Sequence, residues 1–335
     1  MTWLKKKKKL VVILALILVA FFTVSYFLIS SVPVREPKVF GATFSEPFAK
    51  ELGLDWKKAY EAIFSDLGVK NARIPVYWSE VESKKGEWHF EDIDWQLSKA
   101  KEYNAKVILA VGRKLPRWPE CFEPEWAKNL SEEKKQELIL KMIENVVMRY
   151  DSFPVVSTWQ VENEPFLPFG ECPKLDKQFL DEEIALVKKI SDKPVIISDS
   201  GEFGTWFPAA KRADIFGSTL YRYVWNRVFG YITYPLPPSF FRLKQGLLKL
   251  FVGQKPIIVV ELQAEPWTPR ALRDIPFEEQ FIHFNPERFE EILEYIKGTG
   301  FDIFYFWGVE WWYWLKTQGY PEIWDIAKEA IKNIK

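Results

Sequence analysis

Histidine and cysteine are scarce in this chain of 335 residues, which has two of each. His89 and His283 lie far apart, and Cys121 and Cys172 form no C-x-x-C pair, so a His/Cys metal site is not expected and no organic cofactor is implied. Net charge is also lacking, with 46 Lys and Arg against 46 Asp and Glu. The balance is uneven: the five lysines at 5–9 have no acid beside them in the first 33 residues, so the remainder carries −5. A mildly acidic body argues against a nucleic-acid surface. Residues 10–32 hold no charge at all, and this stretch of 23 exceeds the roughly 20 residues that cross a bilayer. No A-x-A cleavage site precedes the Ser30-Ser31-Val32-Pro33 junction. The expected order is therefore a cytoplasmic basic tail (1–9), a single-pass transmembrane signal anchor (10–32), a stiff spacer (33–37) and a folded body outside the cytosol (38–335). The alternative, a long cleaved signal peptide, leaves the body outside the cytosol as well. Beyond the lysine run there is no internal repeat or low-complexity segment.

Aromatic residues are plentiful. They make up 17% of the chain, including 16 Trp, within a hydrophobic content of 48% that is enough for one large core. Some of these rings fill that core, and the surplus suits a sugar-binding cleft, because pyranose faces stack on aromatic faces.

From residue 38 onward, apolar runs alternate with amphipathic helices eight times, the pattern of a parallel α/β sheet. Strands are expected at 39–44, 72–77, 106–111, from 155, at 194–199, 214–219, up to 261, and at 302–307. Asp55, Ser131 and Asn285 read as helix caps, the last followed by Pro286 and closed by Gly298. The predicted fold is a (β/α)8 barrel. An apolar, Pro-containing insertion at 225–251 could wall the cleft or lean on a membrane.

Two stretches carry the chemistry. VVSTWQVENEP (155–165) runs from an apolar strand into Asn163, Glu164 and Pro165, and PIIVVELQAEPW (256–267) runs from four aliphatic residues into Glu261. The glutamates are 97 positions apart, and at about 30 residues per βα unit three units fit between them. If Glu164 closes the fourth strand, Glu261 closes the seventh, and both face one cleft at the end of the barrel where such folds keep their chemistry. Two facing carboxylates suit glycoside hydrolysis, one as acid and one as nucleophile. Glu164 is read as acid/base and Glu261 as nucleophile, with Glu265 as the competitor for that role. Arg73 would keep Glu261 ionised, Tyr221 would orient it, Asn163 would bond a sugar hydroxyl, and Trp307 would lie under the reacting sugar. Trp78, Glu80, Arg117, Trp118 and Trp267 are candidate substrate contacts. Cys121 and Cys172, in the loops after adjacent strands 3 and 4, could form a disulfide closing about 50 residues, or remain two buried thiols.

These residues resemble the clan A glycoside hydrolases, the retaining (β/α)8 group that includes family 5 cellulases and families 39 and 42. Asn163-Glu164-Pro165 is similar to that clan's acid/base motif, Lys255-Pro256 with four aliphatics and Glu261 to its nucleophile strand, and Asn71-Ala72-Arg73-Ile74-Pro75 to its strand 2 arginine. Trp307 and Tyr221 match its aromatic positions on strands 8 and 6. The resemblance covers residues 38–335 and implies a retaining O-glycosidase acting on an oligo- or polysaccharide without cofactor or metal, with a monomer expected. The shortage of histidine departs from many family 5 members. A catalytically silent carbohydrate-binding barrel, or a transglycosylase using the same residues, are the other readings of this constellation.

Overall fold

Each apolar run forms a strand because, in a sheet covered on both faces, every residue of the run is buried and alternation disappears. The computed structural model describes residues 2–29 and 34–334, and within its first helix, Thr2–Ile29, the side chains of residue 9 and residues 11–26. Ten strands follow: β1 (Val39–Thr43), β2 (Asn71–Pro75), β3 (Lys106–Val111), β4 (Val156–Val161), β5 (Val195–Asp199), β6 (Ile215–Leu220), β7 (Tyr223–Asn226), β8 (Gly230–Thr233), β9 (Ile257–Gln263) and β10 (Ile303–Trp307). Eight of them, all but β7 and β8, pair in parallel in the order β1-β10-β9-β6-β5-β4-β3-β2 and close into a barrel. The fold is a (β/α)8 barrel. Ile108, Ile196, Ile258, Val260 and Tyr305 pack together as one core cluster. Alternate residues such as Val107, Ile197 and Val259 belong to a second, larger cluster with apolar residues of the helices.

Helix starts follow the expected caps. Asp55, Ser131 and Asn285 each accept a backbone N–H three residues on, from Lys58, Lys134 and Arg288. The insertion at 225–251 becomes an antiparallel hairpin, β7–β8, and a helix, Pro238–Phe251. Val224, Ile232 and Tyr234 of the hairpin region pack with Tyr221, Trp267 and Trp307, so this segment walls the cleft.

One irregularity positions chemistry. Against β6 the register steps from Ser218↔Val259 to Thr219↔Glu261, and against β10 from Phe304↔Val259 to Phe306↔Leu262, so β9 carries one extra residue at Val260. Such a bulge resets the in/out alternation. Val260 and Glu261 then both face inward, and Leu262 joins the outer core. β9 also runs two residues past its expected end at Glu261.

Among the described residues no helix is long and apolar enough to cross a membrane. Residues 30–33, at the end of the expected segment and start of the spacer, lie outside the described residues. The predicted transmembrane segment thus finds no support in the structure.

Candidate active site

Beyond Val161 the chain leaves β4 through a turn in which Glu162 (φ 57°) and Glu164 (φ 42°) both adopt left-handed backbone. That conformation costs an L-residue about 1–2 kcal/mol, so specific bonds must hold it. Glu162 accepts the N–H groups of Arg113 and Lys114, both at 2.7 Å, with its two carboxylate oxygens. Gly112 (φ 129°) makes room, since a Cβ there would lie 2.4 Å from Glu162 Oε1. The Glu164 N–H donates to Ser198 Oγ (2.9 Å), and Gln160 Nε2 donates to the Glu162 carbonyl (3.0 Å). Lys114 closes the turn, its Nζ donating to the carbonyls of Glu164 and Leu167 and pairing with Glu120. The first glutamate of V-E-N-E-P, Glu162, is therefore a structural anchor, a role the sequence reading missed. Its signal was present in Gln160, Glu162 and Glu164, polar at every second position at the end of an apolar strand.

Arg73 sits fully buried between the two stretches. Its Nη2 donates to Asn163 Oδ1 (2.8 Å), its Nη1 to Glu261 Oε1 (2.9 Å) and its Nε to Gln160 Oε1 (2.8 Å). The Tyr221 hydroxyl donates to the other oxygen of Glu261 (2.9 Å). Thr219, the register partner of Glu261, is 3.1 Å from Glu164 Oε1 through its hydroxyl. Glu164 and Glu261 thus meet in one buried site at the C-terminal end of the barrel, linked by Arg73, Asn163, Thr219 and Tyr221.

Their surroundings differ in sign. Burial, then the charges of Glu261 and Glu120, hold the Glu164 carboxyl well above the usual range, which favours its protonated form. Burial, then the charges of Glu261 and Glu164, raise Tyr221, which stays a phenol and a donor. Glu120, which the sequence reading passed over, is lifted to about 7, chiefly by burial. Asn163 Nδ2 is buried with no partner, a donor left for a ligand.

Arg117 lies in the same mouth. Its guanidinium donates to Glu265 and to Glu310 Oε2 (2.9 Å) and rests over the rings of Phe48 (3.7 Å) and Trp307 (4.1 Å). Glu265 is consequently an ion-pair partner of Arg117, while Glu261 bonds Arg73. Trp307 carries the guanidinium over its ring and is buried. Trp267 touches Tyr221 edge-on (5.2 Å between centroids) and Phe169 (5.4 Å), and Phe169 in turn meets Trp118, which is 65% exposed. Trp78 is not brought to this cleft. It is fully buried, packs on Trp126 and donates its indole N–H to Glu82 (2.8 Å), because the chain after β2 turns at once into the helix Trp78–Val81. Cys121 and Cys172 are joined by a disulfide that ties the loop after β3 to the loop after β4. Among the described residues no group of His, Cys, Asp or Glu is arranged to hold a metal ion.

No family model and no curated protein matches the chain. Solved structures of the same fold do. A β-galactosidase from Rahnella sp. R3 superposes with a TM-score of 0.57 at 14% identity over 83% of this chain and 52% of that one. An endo-β-1,4-xylanase from Gloeophyllum trabeum gives 0.56 at 14% identity, over 88% and 96% of the two chains. An endo-β-1,4-mannanase from Thermotoga petrophila gives 0.54 at 16% identity, over 83% and 69%. The chain spans about half the length of the β-galactosidase. At these identities the likeness is one of fold, and it agrees with the barrel read from the sequence.

Proposed function

We propose that this barrel is a retaining glycoside hydrolase in which Glu164 is the acid/base and Glu261 the nucleophile. The observation that carries the proposal is the pair itself: one buried carboxyl whose proton is favoured by burial and negative neighbours, the other held by a guanidinium and a phenol, with Arg73 bridging to Asn163. In the first step Glu164 gives its proton to the glycosidic oxygen as Glu261 attacks the anomeric carbon, the leaving alcohol departs, and a glycosyl ester forms on Glu261. Esterification removes the Glu261 charge that had raised Glu164, so the second carboxyl becomes a weaker proton holder when it must act as base. It then takes a proton from water, the water oxygen bonds to the anomeric carbon, and the Glu261 carboxylate is released. Asn163 Nδ2 is free to bond a hydroxyl of the reacting sugar.

Glycoside-hydrolase neighbours of similar fold favour this reading over a silent carbohydrate-binding barrel. Proton NMR of the initial product tests it, since retention of anomeric configuration is expected and inversion would rule out the glycosyl ester. A membrane-anchored, extracytoplasmic location belongs to the same proposal. It rests on the uncharged run 10–32 behind the lysine cluster and on the Cys121–Cys172 disulfide, which suits an oxidising compartment. Protease protection of membrane vesicles with tagged protein distinguishes it from a cytosolic enzyme.

A further inference from the structure

Two loops cross the mouth of the barrel above the carboxylate pair. The loop after β3 carries Arg117 to Glu265, beyond β9, and to Glu310, beyond β10, while its guanidinium lies on Phe48, beyond β1. In the closed order of strands β3 and β9 are opposite one another, so this contact spans the whole opening. The crossing is firmly seated: Pro116 accepts the Tyr77 hydroxyl (2.9 Å), Leu115 donates its N–H to the Glu120 carbonyl (2.7 Å), and the Cys121 disulfide anchors the far end. The second crossing runs from the loop after β4, where Phe169 meets Trp267 of the loop after β9.

A chain cleaved internally must pass through the site with sugar units on both sides of the reacting bond, which requires an open groove. The Arg117 contacts, running from the loop after β3 to residues beyond β9, β10 and β1, stand across such a groove and close off the β10–β1–β2 side of the mouth from the β4–β5–β6 side.

We propose that the site is a closed-ended pocket for one terminal glycosyl unit, so that the enzyme acts exo, releasing single sugars from a chain end. The inference rests on the glycosidase reading above and adds the mode of attack. In the pocket, Asn163 Nδ2 and Arg117 Nε, both buried without partners, are donors for hydroxyls of that unit.

The test uses the full chain with aryl monoglycosides and with oligosaccharides labelled at the reducing end, following products from the earliest time points. Aryl monoglycosides are turned over, and the oligosaccharides lose one sugar at a time, with monosaccharide as the sole small product. Fragments of two or more units released early by the wild type would overturn the exo assignment while leaving the glycosidase reading intact. Folded protein without turnover on any substrate would overturn both. Phe169→Ala, at a partly exposed position, opens the second crossing, and monosaccharide-only release is then lost as longer fragments appear; Arg117→Ala does the same at the first crossing where it folds. A product pattern unchanged in every folded crossing variant would show that the crossings do not set the mode, and would overturn the proposal.

Discussion

Glu164 and Glu261 are the same side chain at the ends of two strands of one barrel, yet they are held in opposite ways. Glu164 stands in a left-handed turn supported by loop contacts, with a hydroxyl and two carboxylates for company. Glu261 stands inside a strand, aimed by a bulge and met by a guanidinium and a phenol. The proposed roles follow the surroundings of each carboxyl rather than its type: burial and negative neighbours favour a proton on Glu164, while a guanidinium and a phenol hold Glu261 in place.

The sharpest way to break that comparison is to exchange the carboxylates for amides. Glu261→Gln is expected to lower kcat on the order of 10⁴–10⁶-fold while leaving glycan binding measurable by calorimetry, because the nucleophile itself is gone. Glu164→Gln should cost about 10²–10⁴-fold on substrates with poor leaving groups and far less on activated aryl glycosides, which need little protonation. Equal losses on both substrate types would remove Glu164 from the acid role.

Removing both cysteines probes the loop-held side. Opening a loop whose ends are 51 residues apart should cost about 4 kcal/mol in the chain-entropy model, read from urea unfolding under oxidising and reducing conditions. Since the disulfide ties the loops around Glu164, which the proposed mechanism uses in both steps, formation and hydrolysis of the glycosyl ester should both slow. Tyr221→Phe probes the strand-held side: losing a donor to a charged group is worth roughly 1.5–3 kcal/mol, or about 10–100-fold in kcat.

The smallest effect expected is a shift in pH dependence. With Glu164 in the proposed acid role, activity is expected below the raised pKa of that group and lost as pH climbs through it. Glu120→Gln takes away one of the negative charges that raise Glu164, and the alkaline limb of kcat/KM should move to lower pH. A limb that stays in place would separate Glu120 from the acid.

Much of this molecule is written in short windows. The eight barrel strands, the caps at Asp55, Ser131 and Asn285, and the two acidic strand ends depend on neighbours a few residues away, and periodicity and capping chemistry make them readable. The barrel contacts of Arg73 with Glu261 and Asn163 follow once the strand count is right, because the fold brings strands 2, 4 and 7 to one face.

What sequence alone determined is the eight barrel strands in their order and the placing of two glutamates at or near the ends of two of them. Tertiary structure alone decided how those ends are used. The bulge at Val260 turns Glu261 inward, Glu162 anchors a loop through two backbone amides, and Arg117 reaches across the mouth to partners 148 and 193 residues away. Each arises from contacts between segments distant along the chain; a local pattern marks at most a polar position, as at Glu162, and never its partner. Local propensity sets which residues form strands and turns, whereas the direction of a side chain at a register shift, or the partner of a buried charge, exists only after the barrel has closed.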